Sequence, residues 1–387
     1  MFALYLHIPF CLSKCPYCDF NSYAGSTLML RDQYVDALCS EIAIRVGQED
    51  PTRIDTIFFG GGTPSLLEGA QVQRILDTIR AHATLADDCE ISLEANPGTL
   101  VHDGAVVETS LAKLEAFRAA GVNRLSFGVQ SLHEHHLRTL GRWHSADEAI
   151  ASYRLARAAG FDNLNLDFIF AVPRQTVDEW AWTLERAVEL APEHLSCYGL
   201  TIEEGTPFFD LHQRGVLRSL DEDTELAMFE LTRNRLAVAG YEPYEVSNFA
   251  VSGRRCRHNQ VYWNDDDFLG CGAGAHSSLR GVRSWNERNP KRYAQFVSQR
   301  GEATVGREQL GGRAKLGEAM MLGLRLSDGV DLQRLGDRHG LKPSEVFGQE
   351  FERLNAAGLL ELQNSHARLS SKGLLVANSV MAEFLAD

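Results

Sequence analysis

The chain has 387 residues, of which 44% are hydrophobic, 9% aromatic and 23% charged, a balance that excludes a disordered, collagen-like or coiled-coil protein. Thirty-eight Lys and Arg against 52 Asp and Glu leave a net charge of -14, which opposes a broad nucleic-acid or anionic-lipid footprint. The length predicts two or three domains, because single cores stop growing at roughly 250–300 residues.

Residues 3 to 8 (ALYLHI) read as a first strand, and the thiols of Cys11, Cys15 and Cys18 follow it at once. The other five cysteines, Cys39, Cys89, Cys197, Cys256 and Cys271, are scattered, too dilute for a disulfide scaffold. Strands are then expected at 54 to 59, 90 to 94, 124 to 129, 164 to 170 and 195 to 200, from short apolar, β-branched runs. Amphipathic runs near 29 to 47, 68 to 83, 109 to 120, 147 to 160, 176 to 190 and 221 to 240 read as helices. Gly121, Gly160 and Gly240 stand just past three of the helix ends. Six β/α units in series imply a parallel sheet, either doubly wound or part of a barrel, and both place chemistry at strand C-terminal ends.

From about 241 the pattern turns irregular, rich in Asn, Gly, Trp and Tyr, and reads as a loop-rich second region. Beyond it, 313 to 326, 331 to 339 and 343 to 357 read as helices, followed by a hairpin and a closing helix at 371 to 385, the order of a winged helix. A DNA-binding role is not expected, since residues 313 to 387 carry nine Lys or Arg against ten Asp or Glu. The expected division is 1 to 240, 241 to 305 and 306 to 387. No run of about 18 apolar residues occurs, and the N-terminus lacks a basic segment and a cleavage site. The chain is therefore expected to be cytoplasmic and not an integral membrane protein.

Three thiols on one loop suit iron-sulfur ligation, because soft sulfur donors select such clusters. The alternative is a Cys3His zinc site with His7 as fourth ligand, awkwardly placed inside the first strand. Gly60 to Thr63 close a strand, where glycines let a ligand approach the backbone or simply form a tight turn. The GxGxxG and Walker patterns of a phosphate cradle are absent there.

The spacing Cys11-Leu-Ser-Lys-Cys15-Pro-Tyr-Cys18 resembles the CxxxCxxC signature of the radical S-adenosylmethionine superfamily. The segments Tyr5-Leu-His7-Ile-Pro9-Phe10-Cys11, Gly60-Gly61-Gly62-Thr63-Pro64, Glu94-Ala-Asn96-Pro97, Ser126-Phe127-Gly128-Val129-Gln130 and Asp167-Phe-Ile-Phe-Ala resemble the oxygen-independent coproporphyrinogen III oxidase family. The resemblance implies an α/β protein, a partial (β/α)6 TIM-like barrel with a C-terminal α+β winged-helix-like domain. It implies a 4Fe-4S cluster on Cys11, Cys15 and Cys18 with one open iron. It also implies S-adenosylmethionine held by Tyr5, Gly61, Gly62, Thr63, Glu94, Gln130, Arg142 and Asp167. Those roles are chemically sensible, with carboxylates for an ammonium or ribose hydroxyls and Arg for a carboxylate.

One departure points to a branch. The oxidases carry a further cysteine two positions after the third, where this chain has Phe20, and in this it is similar to the haem-chaperone branch. The run His258-Asn259-Gln260-Val261-Tyr262-Trp263 matches that branch's HNxxYW haem-binding motif. An imidazole can ligate haem and flanking aromatics can pack its face, while Cys256 is an alternative thiolate ligand and a structural loop the bland reading. The implied function is haem binding and transfer to an acceptor protein, with a respiratory-chain acceptor and transient membrane-protein contact among the options. Coproporphyrinogen oxidase activity is not expected; the rival reading is oxygen-independent coproporphyrinogen III dehydrogenase or another radical S-adenosylmethionine enzyme. His133, His135, His136 and His144 cluster in sequence, where a helix would bring some onto one face and a metal site is conceivable, but no carboxylate or cysteine is patterned with them at ligand spacing, so a solvated helix is expected there. His276 lies in a Gly-rich turn that the family shares, and Cys271, where an apolar residue is expected, is assigned no role.

Overall fold

A computed structural model describes residues 1–102, 105–106 and 109–385; the last two residues of the expected C-terminal domain lie outside them. The six expected β/α units are present. They run β1 (Phe2–Ile8), α1 (Leu28–Glu49), β2 (Ile54–Gly61), α2 (Gly69–His82), β3 (Leu85–Ala95), α3 (Ser110–Ala120), β4 (Arg124–Gln130), α4 (Glu134–Thr139), α5 (Ala146–Ala158), β5 (Leu164–Phe170), α6 (Val177–Glu189) and β6 (His194–Gly199). Helices α7 (Pro207–Gln213) and α8 (Glu222–Val238) follow. The strands alternate apolar residues that pack under the helices, such as Leu93, Leu125, Phe127, Leu164, Leu166 and Leu195, with polar ones that face the barrel interior. Helix starts are set by side-chain caps: Ser145 and Thr176 each accept from the backbone N–H three residues on, and Glu148 and Glu179 reach back in a capping box.

The segment 241 to 305, expected to be loop-rich, extends the main sheet instead. It supplies β7 (Glu242–Pro243), β8 (Asn248–Ala250), α9 (Arg257–Trp263), β9 (Asp267–Cys271), β10 (His276–Leu279), β11 (Val282–Asn286), α10 (Pro290–Arg300) and β12 (Thr304–Gln309). The twelve strands lie in the order β7-β8-β6-β5-β4-β3-β2-β1-β9-β10-β11-β12. Strands β6 to β1 are parallel in sequence, and β9 adds a seventh parallel strand against β1, with Tyr5 opposite Gly270. The order has two free ends, so the barrel is partial. Strands this short, broken by Gly and Asn, carry little periodic signal of their own; the edges of β1 and β6 supply the pairing on which they build.

The C-terminal part has its own core around Leu316, Met320, Phe347, Phe351 and Phe384. It comprises α11 (Gly312–Gly323), β13 (Val330–Asp331), α12 (Leu332–His339), α13 (Pro343–Val346), α14 (Gly348–Ala356), the hairpin β14 (Leu360–Gln363) and β15 (His366–Leu369), α15 (Ser371–Leu374) and α16 (Ala377–Ala382). The order β13-β15-β14 makes a small antiparallel wing beside the helices. No helix among the described residues is long and apolar enough to cross a membrane.

Candidate functional site

A cavity of about 400 Å³ opens at the C-terminal ends of the parallel strands, the end at which parallel α/β folds expose their loops. The thiol loop between β1 and α1 forms its mouth, and Cys11, Cys15, Cys18 and Phe20 all line it. The loop is tied down by backbone and side chains. Cys18 N–H donates to the Cys15 carbonyl at 3.2 Å, Thr63 Oγ1 donates to Cys11 Sγ at 3.4 Å, and Arg142 Nη1 donates to Cys15 Sγ at 3.5 Å. Burial pushes the Cys11 and Cys18 thiols up, against hydrogen bonds that favour their thiolates. Three thiolates are stable in that setting when a bound metal supplies the compensating charge.

The geometry separates the two metal readings. Bonds of about 2.3 Å keep any two sulfurs on one zinc within about 4.6 Å. Among the described residues, the three donors gathered within 4.8 Å of one another are those of His133, His135 and Glu179, not the three thiols. His7, the fourth ligand of the zinc alternative, has Nδ1 3.0 Å from Tyr5 Oη and Nε2 2.8 Å from the Asn21 carbonyl. Both ring nitrogens are engaged, which disfavours His7 as a fourth zinc ligand. A wider, multi-iron group held from one loop fits the donor set.

Below the thiols, Gly61, Gly62, Thr63, Glu94, Gln130, Arg142 and Asp167 line the same cavity. Gly62 is required by crowding: a Cβ there would stand 2.6 Å from the Phe10 carbonyl oxygen. Gly61 is left-handed, with φ 112°, and its N–H donates to Glu94 Oε2 at 3.0 Å. Gln130 also has positive φ, 68°, beside a register shift in β4 that turns its side chain at the strand end. Burial, with Asp167's charge beside it, pushes Glu94 up to about 8. Asp167 is raised by burial and held by Ser126 at 3.0 Å and Asn165 at 2.7 Å. Two desolvated carboxylates facing one space favour a cationic ligand. Tyr5 is not on the cavity wall; its hydroxyl is spent on His7 and its ring packs against Phe58.

Arg124 is the residue the sequence reading missed. It is 2% exposed, lines the cavity floor and has no partner for its buried Nε. Arg124, Ser126, Gly128 and Gln130 alternate along one face of β4 and all line the cavity. Period-two polar residues in an otherwise apolar strand were the available signal.

The four residues of the haem motif are not brought to one wall. Helix α9 closes the lower side of the barrel, where the Glu90 carboxylate accepts from the N–H groups of Arg257 and His258, both at 3.1 Å. His258 is 1% exposed; its Nδ1 is 2.8 Å from Thr56 Oγ1 and its Nε2 2.8 Å from Tyr262 Oη. Burial, then the nearby Arg124 charge, pushes its imidazole down to about 3, so it is neutral. Asn259 lines the main cavity, whereas Trp263 lines a second cavity of about 260 Å³ with Arg325 stacked 4.6 Å from its ring. Cys256 is fully buried, donates to Glu90 at 3.4 Å and is pushed up to about 12 by burial, which disfavours it as a thiolate ligand.

Comparisons with known proteins agree with this architecture. Residues 5–187 match the model of the Radical SAM superfamily and 312–376 that of the HemN C-terminal domain. Proteins named "Heme chaperone HemW" from Mycobacterium tuberculosis and Escherichia coli are each 37% identical to the chain, covering 99% and 100% of it and 95% and 98% of themselves. The Bacillus subtilis protein of that name is 34% identical over the full length of both. The solved structure of coproporphyrinogen III oxidase (HemN) from Escherichia coli, described as a radical SAM enzyme, superposes with a TM-score of 0.83 at 27% identity, covering 99% of this chain and 89% of that one.

Proposed function

The chain belongs to the HemW family of the radical SAM superfamily, and from that premise we propose that it binds haem and passes it to an acceptor protein. We propose further that it carries a 4Fe-4S cluster on Cys11, Cys15 and Cys18 and binds S-adenosylmethionine beside it. When bound, such a cluster supplies an electron to the sulfonium of S-adenosylmethionine. The chain's own residues then hold and orient: the Gly61–Thr63 backbone and Glu94 receive the ammonium, Arg142 its carboxylate, and Gln130 and Asp167 the ribose hydroxyls.

The observation that carries the chaperone reading is Phe20, which lines the mouth of the cavity beside the thiols and is 61% exposed. At the position where the oxidases carry a further thiol, an apolar ring offers neither a proton nor a ligand. Haem would be held by His258, Asn259, Tyr262 and Trp263. His258 ligates only if Thr56 and Tyr262 release it, so haem loading entails movement of α9.

The rival, porphyrinogen-converting reading is favoured by the seven of the eight expected S-adenosylmethionine residues that line the cavity and by the likeness to HemN. One anaerobic preparation tests both. Iron and sulfide counting, haem titration and an assay with reductant, S-adenosylmethionine and coproporphyrinogen III are expected to give a cluster, haem binding and no protoporphyrinogen. Protoporphyrinogen formation would restore the enzyme reading, and absence of haem binding would end the chaperone one.

A further inference from the structure

The helix expected over the histidines after β4 is present as α4, but it is solvated on one side only. His136 and His144 are 1% and 3% exposed, and the fold brings Glu179, from the first turn of α6, against the run 133 to 136. One donor atom each from His133, His135 and Glu179 lies within 4.8 Å of the other two. Bonds of about 2.0–2.2 Å from a tetrahedral zinc to nitrogen or oxygen place its donors roughly 3.3–3.6 Å apart, a spacing within reach of small side-chain rotations.

The two oxygens of Glu179 are already divided between tasks. Oε2 accepts from Thr176 N–H at 2.8 Å and Thr176 Oγ1 at 3.2 Å, and buried His136 meets it with Nε2 at 3.3 Å. Oε1 faces His135 Nε2 at 3.0 Å and has no part in the helix cap. One oxygen therefore fixes the carboxylate while the other is left for a ligand. His133 Nε2 lies 3.1 Å from the Glu179 carbonyl oxygen. A proton held there leaves Nδ1 with its lone pair, the way backbone carbonyls commonly set the tautomer of a metal-binding imidazole. His135 is 53% exposed, so the remaining side of the group is open to water.

We propose that His133, His135 and Glu179 form a three-ligand site for a borderline divalent transition metal of the zinc class, separate from the thiol loop, with its fourth position open. Two imidazoles and one carboxylate select against calcium and magnesium, which take oxygen donors, and suit Zn²⁺, Co²⁺ or Ni²⁺. Helix α4 runs from this group toward Gly141 and Arg142, which touch Cys15.

The test uses the full chain with its iron-sulfur cluster loaded, so that the three thiols are engaged, and titrates Zn²⁺ calorimetrically under anaerobic conditions. His135→Ala removes an exposed side chain, and Glu179→Gln keeps an oxygen for the cap while losing the charge. One equivalent of Zn²⁺ is expected on the wild type, weakened by more than about tenfold in each variant, at least the loss that outer-shell changes bring. Co²⁺ at the site is expected to show ligand-field bands without thiolate charge transfer. Unchanged affinity in both variants, no Zn²⁺ uptake by the wild type, or a Co²⁺ spectrum carrying thiolate bands would each overturn the proposal.

Discussion

Glu94 has the most testable electrostatics at the site. Its carboxyl is pushed up to about 8 by burial and then by Asp167, whereas an unfolded Glu titrates near about 4.3. Between those values the native state binds more protons than the unfolded one, so this group's contribution to stability falls as pH rises from about 4.3 to about 8. Glu94→Gln is therefore expected to flatten that part of a stability-against-pH curve measured by urea unfolding. If Glu94 receives the ammonium of S-adenosylmethionine, binding at pH 7 also expels its proton. Calorimetry in buffers of different ionisation enthalpy is expected to show proton release in the wild type and none in Glu94→Gln. At the same scale, Cys11→Ala, Cys15→Ala or Cys18→Ala should each leave the reconstituted protein without stoichiometric labile sulfide, because an open cluster has no spare ligand. Retention of the cluster by any of the three would remove that cysteine from the ligand set. These thiols were legible in the sequence because the motif is local. Arg124 and Glu179 were not, because their significance depends on strands and helices folded over them from elsewhere in the chain.

At the scale of elements, the alternation of apolar and amphipathic runs located every strand from β1 to β6 and the helices between them other than the short α4, with ends displaced by a few residues. Each of those strands alternates apolar residues that pack on helices next to it in sequence with residues that face the cavity, so its place is written into its composition. Strand β9 is different. Its pairing with β1 is made by residues more than 200 positions away, and its Gly270 reads as a turn residue. The structure shows another reason for that glycine: a Cβ there would lie 2.0 Å from the His276 carbonyl oxygen. Gly270→Ala should force β9 and β10 apart and cost about 1–3 kcal/mol or more, seen as a lower urea midpoint at unchanged slope. Because α9 packs on β9 through Tyr262 and Phe268, with ring centroids 4.8 Å apart, haem affinity should fall with it. Full stability in Gly270→Ala would mean that the strand pair tolerates the added methyl and that the close approach is not what selects glycine.

Over the whole molecule, the C-terminal part is joined to the barrel through charges at the end of α9. Asp265 accepts from Lys315 Nζ at 2.8 Å and faces His339 Nε2 at 2.9 Å, while Asp266 accepts from Arg334 at 2.6 Å. Asp265 and Lys315 are only 7% and 10% exposed at their side chains. Burial alone would raise the Asp265 carboxyl, but the hydrogen bonds from His339 and Lys315 outweigh it and hold it below the usual carboxylate range. A depressed carboxylate stabilises above its unfolded pKa, so this contribution is present at neutral pH and lost as pH falls through the lower, folded value. Asp265→Asn leaves Lys315 buried beside Glu318 alone and should cost about 3–5 kcal/mol, the penalty for stranding one partner of a buried pair. Asp265→Leu with Lys315→Met removes both charges and should cost far less, so a double-mutant cycle should return a large coupling energy. The second cavity, with Trp263 at its wall, is built from the same segment and from α12, so loosening this joint should change Trp263 fluorescence before the barrel unfolds. A single cooperative transition in Asp265→Asn, with fluorescence and circular dichroism changing together, would show instead that the two parts do not separate even without the buried pair.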